Sequence, residues 1–413
     1  MLYRKITPPY LFEINRGKIL INGPAAEPLR SRCRHSAPEL AGRDHVIERA
    51  AIALDRIRAG RTARSVILHG LRGVGKTVLL NRVGLDAEAR GFAVARIEAP
   101  EARSLPALLA PALRATLFRL RRIEATKSGL QKAMRALSGF ASALKIKYQD
   151  IELALDFAPE KGLADSGDLD TDLADLIMTV GAAADERATA VVLFVDELQY
   201  VPGEQLGALI MALHTASQAQ LPITMMAAGL PQLVGQTGRA KSYAERLFEF
   251  VSIDRLGTAA AASALCIPAE REGARFTDEA IDVILRQTMG YPYFLQEWGR
   301  HSWNVAEDSP ITRDDARRAT HEAVAELDAG FFRVRFDRLT PTERRYLRAM
   351  AELGAGPHRS GDIADRMRRN VTSVAPVRNG LIAKGMLFSP AHGDTAFTVP
   401  LFDGFMKRIL PEP

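Results

Sequence analysis

The chain has 413 residues, 47% of them hydrophobic and 25% charged, with a net charge of +6 and two cysteines. This length exceeds what one hydrophobic core usually supports, so two or three domains are expected. Cys33 and Cys266 lie far apart in the sequence, which argues against a disulfide scaffold and for a reducing compartment. The opening Met1-to-Pro9 stretch lacks an apolar leader core and no apolar run approaches bilayer length, so a cytoplasmic protein with no membrane partner is expected. The eight histidines form no metal-like spacing, so no zinc site is expected.

Residues 1–37 read as an irregular, proline-containing N-terminal extension. Pro38-Glu39-Leu40-Ala41-Gly42-Arg43-Asp44 then leads into an amphipathic helix from His45 to about Ala59. The apolar run Ser65 to His69 reads as a strand, and Gly70-Leu71-Arg72-Gly73-Val74-Gly75-Lys76-Thr77 follows it directly. This spacing is that of a phosphate-binding P-loop. A strand ends, turns sharply at Gly70, Gly73 and Gly75, and opens a helix whose unpaired N–H groups face the phosphates. Lys76 would supply a cation to the β- and γ-phosphates, and the Thr77 hydroxyl would ligate Mg²⁺. Val74 and Val78 flank these groups within the same nucleotide-binding stretch. ATP and Mg²⁺ are the expected cofactors.

Phe92 to Ile97 reads as a second strand and Leu105 to Arg122 as a long helix. The pattern changes over about 124–167, which reads as an insertion. There a basic helix with Lys127, Lys132 and Arg135 gives way to two alternating runs, Leu144 to Tyr148 and Ile151 to Phe157, that suggest a hairpin. This insertion either contacts DNA or a partner or packs on the sheet edge. Val191-Val192-Leu193-Phe194-Val195-Asp196-Glu197 then looks like a Walker B strand. Its five apolar residues suit a strand buried on both faces of a parallel sheet, with the acids emerging at its C-terminal end. Asp196 would hold Mg²⁺ through water and Glu197 would act as general base on the attacking water.

Gly203 to Gln218 reads as a helix and Ile223 to Gly229 as another buried strand. The alternation predicts an α/β P-loop NTPase sheet, parallel and covered by helices on both faces. Helices over 257–338 read as an all-α lid, with Thr277 capping one of them and a further helix following Pro292. From 339 to 413 the pattern is that of a winged helix-turn-helix. Three helices are read at Pro341 to Leu353, Gly361 to Met367 and Val371 to Lys384, followed by Met386 to Phe388 and Phe397 to Val399 around a turn-rich tip. Arg368, Arg369, Asn370, Thr372 and Ser373 at the start of the third helix, with Arg378 further along, are residue types that contact phosphates and base edges. From Pro341 onward eleven Lys/Arg face seven Asp/Glu, a bias consistent with duplex DNA as partner.

Taken together, Gly42-Arg43-Asp44, Gly70 to Thr77, Val191 to Glu197, Ala228-Gly229-Leu230-Pro231 and Gly290-Tyr291-Pro292 resemble the AAA+ ATPases. The resemblance is to the branch shared by origin-recognition-like initiators and STAND signalling ATPases, with 38–256 as the nucleotide-binding domain. It implies that Gly42 and Arg43 lie near the adenine and that Pro292 is the lid proline touching the base. Pro292 also suits the first position of a helix. Where initiators carry a sensor arginine this chain has Tyr293, with Arg300 one substitute, and Ala227-Ala228-Gly229 offers no Asn or Thr to read the γ-phosphate. Slow hydrolysis is therefore expected. Arg246 is the candidate arginine finger, with Arg239 in reserve, which would make a homo-oligomer through the ATP sites; a surface ion pair is the other reading of Arg246. Two functions follow: an ATPase that couples Mg-ATP binding to DNA binding, or a STAND-like regulatory ATPase whose winged helix makes protein contacts.

Overall fold

The computed structural model describes residues 40–101, 103–121, 128–145, 147–148, 151–152 and 158–411. The N-terminal extension with Cys33, the Pro38-Glu39 pair, Lys127 and the 153–157 part of the expected hairpin lie outside the described residues. In chain order the first elements are α1 (Asp44–Arg58), β1 (Ser65–His69), α2 (Lys76–Ala89), β2 (Ala93–Glu98), α3 (Leu105–Arg121) and α4 (Ser128–Ala143). The short pair β3 (Lys147–Tyr148) and β4 (Ile151–Glu152) is antiparallel, the hairpin expected there. Next come α5 (Leu169–Asp185), β5 (Val191–Asp196), α6 (Gly203–Gln218), β6 (Ile223–Gly229), α7 (Leu233–Ala240), α8 (Ala244–Leu247) and β7 (Phe248–Ser252). A helical stretch follows with α9 (Thr258–Arg271), α10 (Asp278–Thr288), α11 (Pro292–Val305) and α12 (Arg313–Leu327). The C-terminal part holds α13 (Arg333–Asp337), α14 (Pro341–Glu352), β8 (His358–Arg359), α15 (Ser360–Arg366), α16 (Val371–Ala383), β9 (Leu387–Phe388), β10 (Asp394–Phe397) and α17 (Phe402–Ile409).

Five strands form a parallel sheet in the order β2-β5-β6-β1-β7. Every residue of β6 and Val191 to Val195 of β5 are buried, so alternate side chains on both faces are covered by helices. Each buried Val, Leu or Ile there contributes about 2 kcal/mol. The order places the C-terminal ends of β1, β6 and β5 side by side, and the loop after β1, the end of β6 and the acids after β5 meet at one edge. Among the elements that the sequence pattern did not announce are α5 and β7. Helix α5 is apolar on most of its circumference because α4 and α6 both pack on it; its start is fixed by Asp168, which accepts from Thr171 N–H at 2.9 Å. Strand β7 is recruited by pairing with β1.

Leu256–Leu327 forms a compact unit of its own. Helix α10 opens on Thr277, whose hydroxyl accepts from Ala280 N–H at 3.2 Å, with Asp278 and Glu279 favouring the positive helix end. Gly290 sits at φ 76°, and a Cβ there would come within 2.6 Å of the Leu256 carbonyl, so only glycine suits the turn into α11. Pro292 occupies the first turn of α11. Glu297, His301 and Glu326 converge, but the Arg300 guanidinium donates to both carboxylates at 2.7 Å, and a cation already neutralises the cluster. Arg300, the residue read as a substitute sensor, is engaged in this network.

The residues from Asp328 onward pack in the same unit as the sheet. Helix α14 begins with a capping box between Thr340 and Glu343. β8, β10 and β9 form a small antiparallel sheet in that spatial order. Phe332, Phe336, Phe402 and Phe405 form an aromatic cluster with ring centroids 5.3–5.8 Å apart, Phe332 and Phe405 stacked and the other pairs tilted or edge-to-face. No helix among the described residues is long and apolar enough to cross a membrane.

Gly70 is close-packed: a Cβ there would lie 2.0 Å from the Ile253 carbonyl oxygen. Gly70→Ala is therefore expected to lower the unfolding free energy by about 2 kcal/mol, measured by denaturant titration. Unchanged stability would show that this backbone approach is not maintained.

Candidate nucleotide-binding site

The turn from β1 into α2 depends on Gly73 and Gly75, which take φ values of 80° and 89°. Gly75 is also the N-cap of α2 and offers no capping side chain, so the first amides of the helix remain open to the loop. Lys76 folds back over this turn, its Nζ donating to the carbonyls of Gly70 at 3.0 Å and Leu71 at 2.7 Å. Desolvation pushes its pKa down to about 8, opposed by the nearby Glu197 and Asp196 carboxylates. Burial and the charge of Lys76 likewise lower His69.

β5 delivers two acids with different partners. Glu197 N–H donates to Asp196 Oδ1 at 2.8 Å, and the Thr77 hydroxyl lies near the same carboxyl. Burial raises the Asp196 pKa while the neighbouring Thr77 hydroxyl acts against it. Glu197 adopts φ 53°, ψ 37°, a left-handed conformation that non-glycine residues seldom hold without a functional constraint. Its Oε1 lies 3.6 Å from Arg72 Nη1 and its Oε2 accepts from the Gln199 side-chain amide. Lys76, Thr77, Asp196 and Glu197 thus converge around the open end of α2.

Arg43 joins the loop from the other side. Gly42, at φ 70°, shapes a turn closed by Arg43 N–H donating to Leu40 O at 3.1 Å, and Arg43 Nη2 donates to the carbonyls of Val74 (3.4 Å) and Asp254. Val74 is buried beneath the loop and Val78 half-buried in the first turns of α2. Arg239 and Arg246 are exposed, and neither bonds to the loop of its own chain among the described residues.

Three residues escaped the sequence reading. Arg72 stands at one of the motif's unspecified positions. Tyr200 accepts from Arg72 Nη2 at 2.6 Å. Gln199 is buried, and its Oε1 accepts from Leu230 N–H at 3.0 Å. A Cβ on Gly229 would fall 2.6 Å from that oxygen, so the small residue ending β6 leaves room for the Gln199 amide. Gln199 thereby fills the space that Gly229 leaves free at the end of β6 and links it to Glu197.

At the start of α16, Arg368, Arg369, Asn370, Thr372 and Ser373 are all exposed, with Ser373 Oγ donating to the Asn370 carbonyl at 2.7 Å. Arg378 is placed differently. Its guanidinium donates to Thr395 Oγ1 (2.7 Å), Ser389 Oγ (2.9 Å) and the Asp394 carbonyl (2.9 Å), tying α16 to the β9–β10 turn.

The fold and this constellation define a P-loop NTPase. Residues 39–226 match a family model described as an AAA ATPase domain, and residues 329–406 match one described as a domain of unknown function (DUF8462). A sequence search of curated proteins finds no match. Among solved structures, the Walker-type ATPase of Pyrococcus abyssi superposes with a TM-score of 0.58 at 16% identity, covering 91% of this chain and 99% of that one. The Orc1 protein of Aeropyrum pernix, solved in complex with DNA, gives a TM-score of 0.44 at 14% identity, covering 90% of this chain and 93% of that one. The RuvB Holliday junction branch migration motor of Thermotoga maritima gives 0.44 at 14%, covering 88% and 95%. The likeness to the Pyrococcus protein is one of fold.

Because Lys76 has a folded-state pKa of about 8 against an ordinary 10.5, the unfolded chain holds more protons between those values. Stability gains from this group as pH rises through that window, and the cost of the buried charge is fully present below pH 8. In ligand-free protein, Lys76→Met is expected to be more stable than wild type at pH 7 by about 2 kcal/mol, discounted for residual solvent access, and to lose that advantage above pH 10.5. Equal stability at pH 7 would mean that the ammonium is not desolvated.

Proposed function

We propose that the protein binds Mg-ATP at residues 70–77, hydrolyses it slowly with Glu197 as general base, and couples the nucleotide state to duplex DNA through a winged helix formed by α14–α17 and β8–β10. The observation that carries the reading is the gathering of Lys76, Thr77, Asp196 and Glu197 at the uncapped N-terminus of α2, where Lys76 and the Thr77 hydroxyl both act on the Asp196 carboxyl. A hydroxyl and a carboxylate side by side are hard oxygen donors that suit Mg²⁺, and a desolvated ammonium beside open amides suits a phosphate chain. The residues present therefore fit the group. When bound, Mg²⁺ would neutralise phosphate charge and help orient the γ-phosphoryl group. Lys76 then contributes a positive charge at the phosphates, its Nζ leaving the carbonyls of Gly70 and Leu71, and Glu197 draws a proton from the attacking water. Gly42, Arg43 and Pro292 would face the base. Arg246, exposed on α8, would reach the site of a neighbouring copy as an arginine finger.

For the DNA arm, support comes from the solvent-exposed Arg368, Arg369, Asn370, Thr372 and Ser373 at the N-terminus of α16, a helix end that also favours phosphate. Arg378 would shape the wing rather than touch DNA. A second reading, a STAND-like regulatory ATPase in which the winged helix serves protein contacts, is favoured by the hydrogen bond from Arg72 N–H to the Thr398 carbonyl at 2.8 Å, which seats the C-terminal elements on the P-loop itself.

Glu197→Gln should lower kcat by about a hundredfold or more while leaving nucleotide binding intact. A wild-type rate in this variant would remove Glu197 as base. Arg368→Ala/Arg369→Ala should weaken duplex binding and reduce the slope of log affinity against log salt by about two. An unchanged slope would favour the second reading.

A further inference from the structure

Arg72 touches three elements at once. Its backbone N–H donates to the Thr398 carbonyl at 2.8 Å, its Nη2 donates to Tyr200 Oη at 2.6 Å, and its Nη1 lies 3.6 Å from Glu197 Oε1. The Arg72 and Glu197 side chains are only 19% and 29% exposed, so the pair is partly desolvated and its attraction is less screened than at an open surface. Thr398 belongs to the C-terminal elements, and its N–H donates to the Met386 carbonyl at 3.0 Å. Gly385, next to Met386, takes φ 64° and lies flush on the same two side chains: a Cβ there would stand 3.0 Å from Tyr200 Oη and 3.1 Å from Arg72 Nη2. The seat of the guanidinium is therefore made jointly by Tyr200 and by the C-terminal backbone. A cleft of about 410 Å³, lined in part by Arg72, Glu101, Glu197, Arg338 and Lys384, opens beside the pair and gives the guanidinium somewhere to move.

We infer that Arg72 is a positioning residue for Glu197, set by the C-terminal elements: while they sit on the loop, the Arg72 guanidinium holds the Glu197 carboxylate in an ion pair and restrains basal ATP hydrolysis. The inference rests on Glu197 being the proton acceptor. A carboxylate engaged by a guanidinium is turned from the water it would activate. Loosening the contact at Thr398 and Gly385 unseats Arg72, and Glu197 is freed. The hydrolytic centre thereby senses whether residues 328–411 are docked, with no direct contact needed between those residues and the nucleotide.

The test is steady-state ATP hydrolysis by the full chain in wild type, Arg72→Gln, Arg72→Lys, Gly385→Val and Glu197→Gln. Arg72→Gln is expected to raise kcat about fivefold with KM changed by less than about twofold, the factor that one partly exposed ion pair supplies. Arg72→Lys, which keeps the charge, should remain near wild type. Gly385→Val, which drives a side chain into Tyr200 and Arg72, should raise kcat as Arg72→Gln does, and the double variant should gain no more than either alone. If Gly385→Val fails to fold, the Arg72 pair decides. A kcat for Arg72→Gln at or below wild type, in protein that still binds Mg-ATP normally, overturns the inference. Glu197→Gln separates the two levels: if it is inactive while Arg72→Gln is unchanged, only the restraint is wrong, whereas if it turns over like wild type, the base assignment fails and the restraint falls with it.

Discussion

A lysine ammonium held at a strand-to-helix turn, bonded only to backbone carbonyls and largely stripped of water, is the constraint around which this molecule is arranged. Such a charge is costly to bury. The fold bears that cost because the C-terminal ends of β1 and β5 bring Asp196 and Glu197 close enough to offset part of it without touching the ammonium directly. Every glycine of the loop serves the same end. Gly73 and Gly75 permit the turn, and Gly70 permits the close approach of the Ile253 backbone that fixes where the turn begins.

The two acids show how one dipeptide is made to serve two ends. Asp196 is inward, its pKa raised by burial, and accepts from Glu197 N–H; Glu197, one residue later, is twisted into the left-handed region and faces Arg72 and Gln199. Without that positive φ the two side chains would follow ordinary strand alternation. The strain is offset by Gln199, whose amide is locked between Leu230 N–H and Glu197 in space that Gly229 leaves free. Local backbone, a glycine on the neighbouring strand and a buried glutamine form one arrangement.

Much of this was legible in the sequence and some was not, for reasons that can be named. The P-loop, the β5 run and β6 declare themselves because burial on both faces demands unbroken apolar residues and because the loop's glycines have no other economical use. Helix α6 was bounded correctly by its turn residues. Helix α5 was hidden because packing between α4 and α6 removes the one-sided stripe that periodicity detects. Strand β7 is half polar and owes its place to β1 rather than to its own pattern. Arg72 and Gln199 occupy positions that no motif specifies, so only their neighbours in space reveal them. Which way Arg378 points from α16 is likewise a tertiary fact: its guanidinium meets Thr395, Ser389 and the Asp394 carbonyl, partners that its own stretch of sequence does not name.

The account stands most directly on calorimetric titration of ATP with Mg²⁺ into the full chain and into Lys76→Met. It predicts saturable one-to-one uptake by the wild type, with an affinity on the order of micromolar, and a loss of at least about tenfold in the variant. Absence of binding heat from folded wild-type protein, or equal affinity with the ammonium removed, would contradict it.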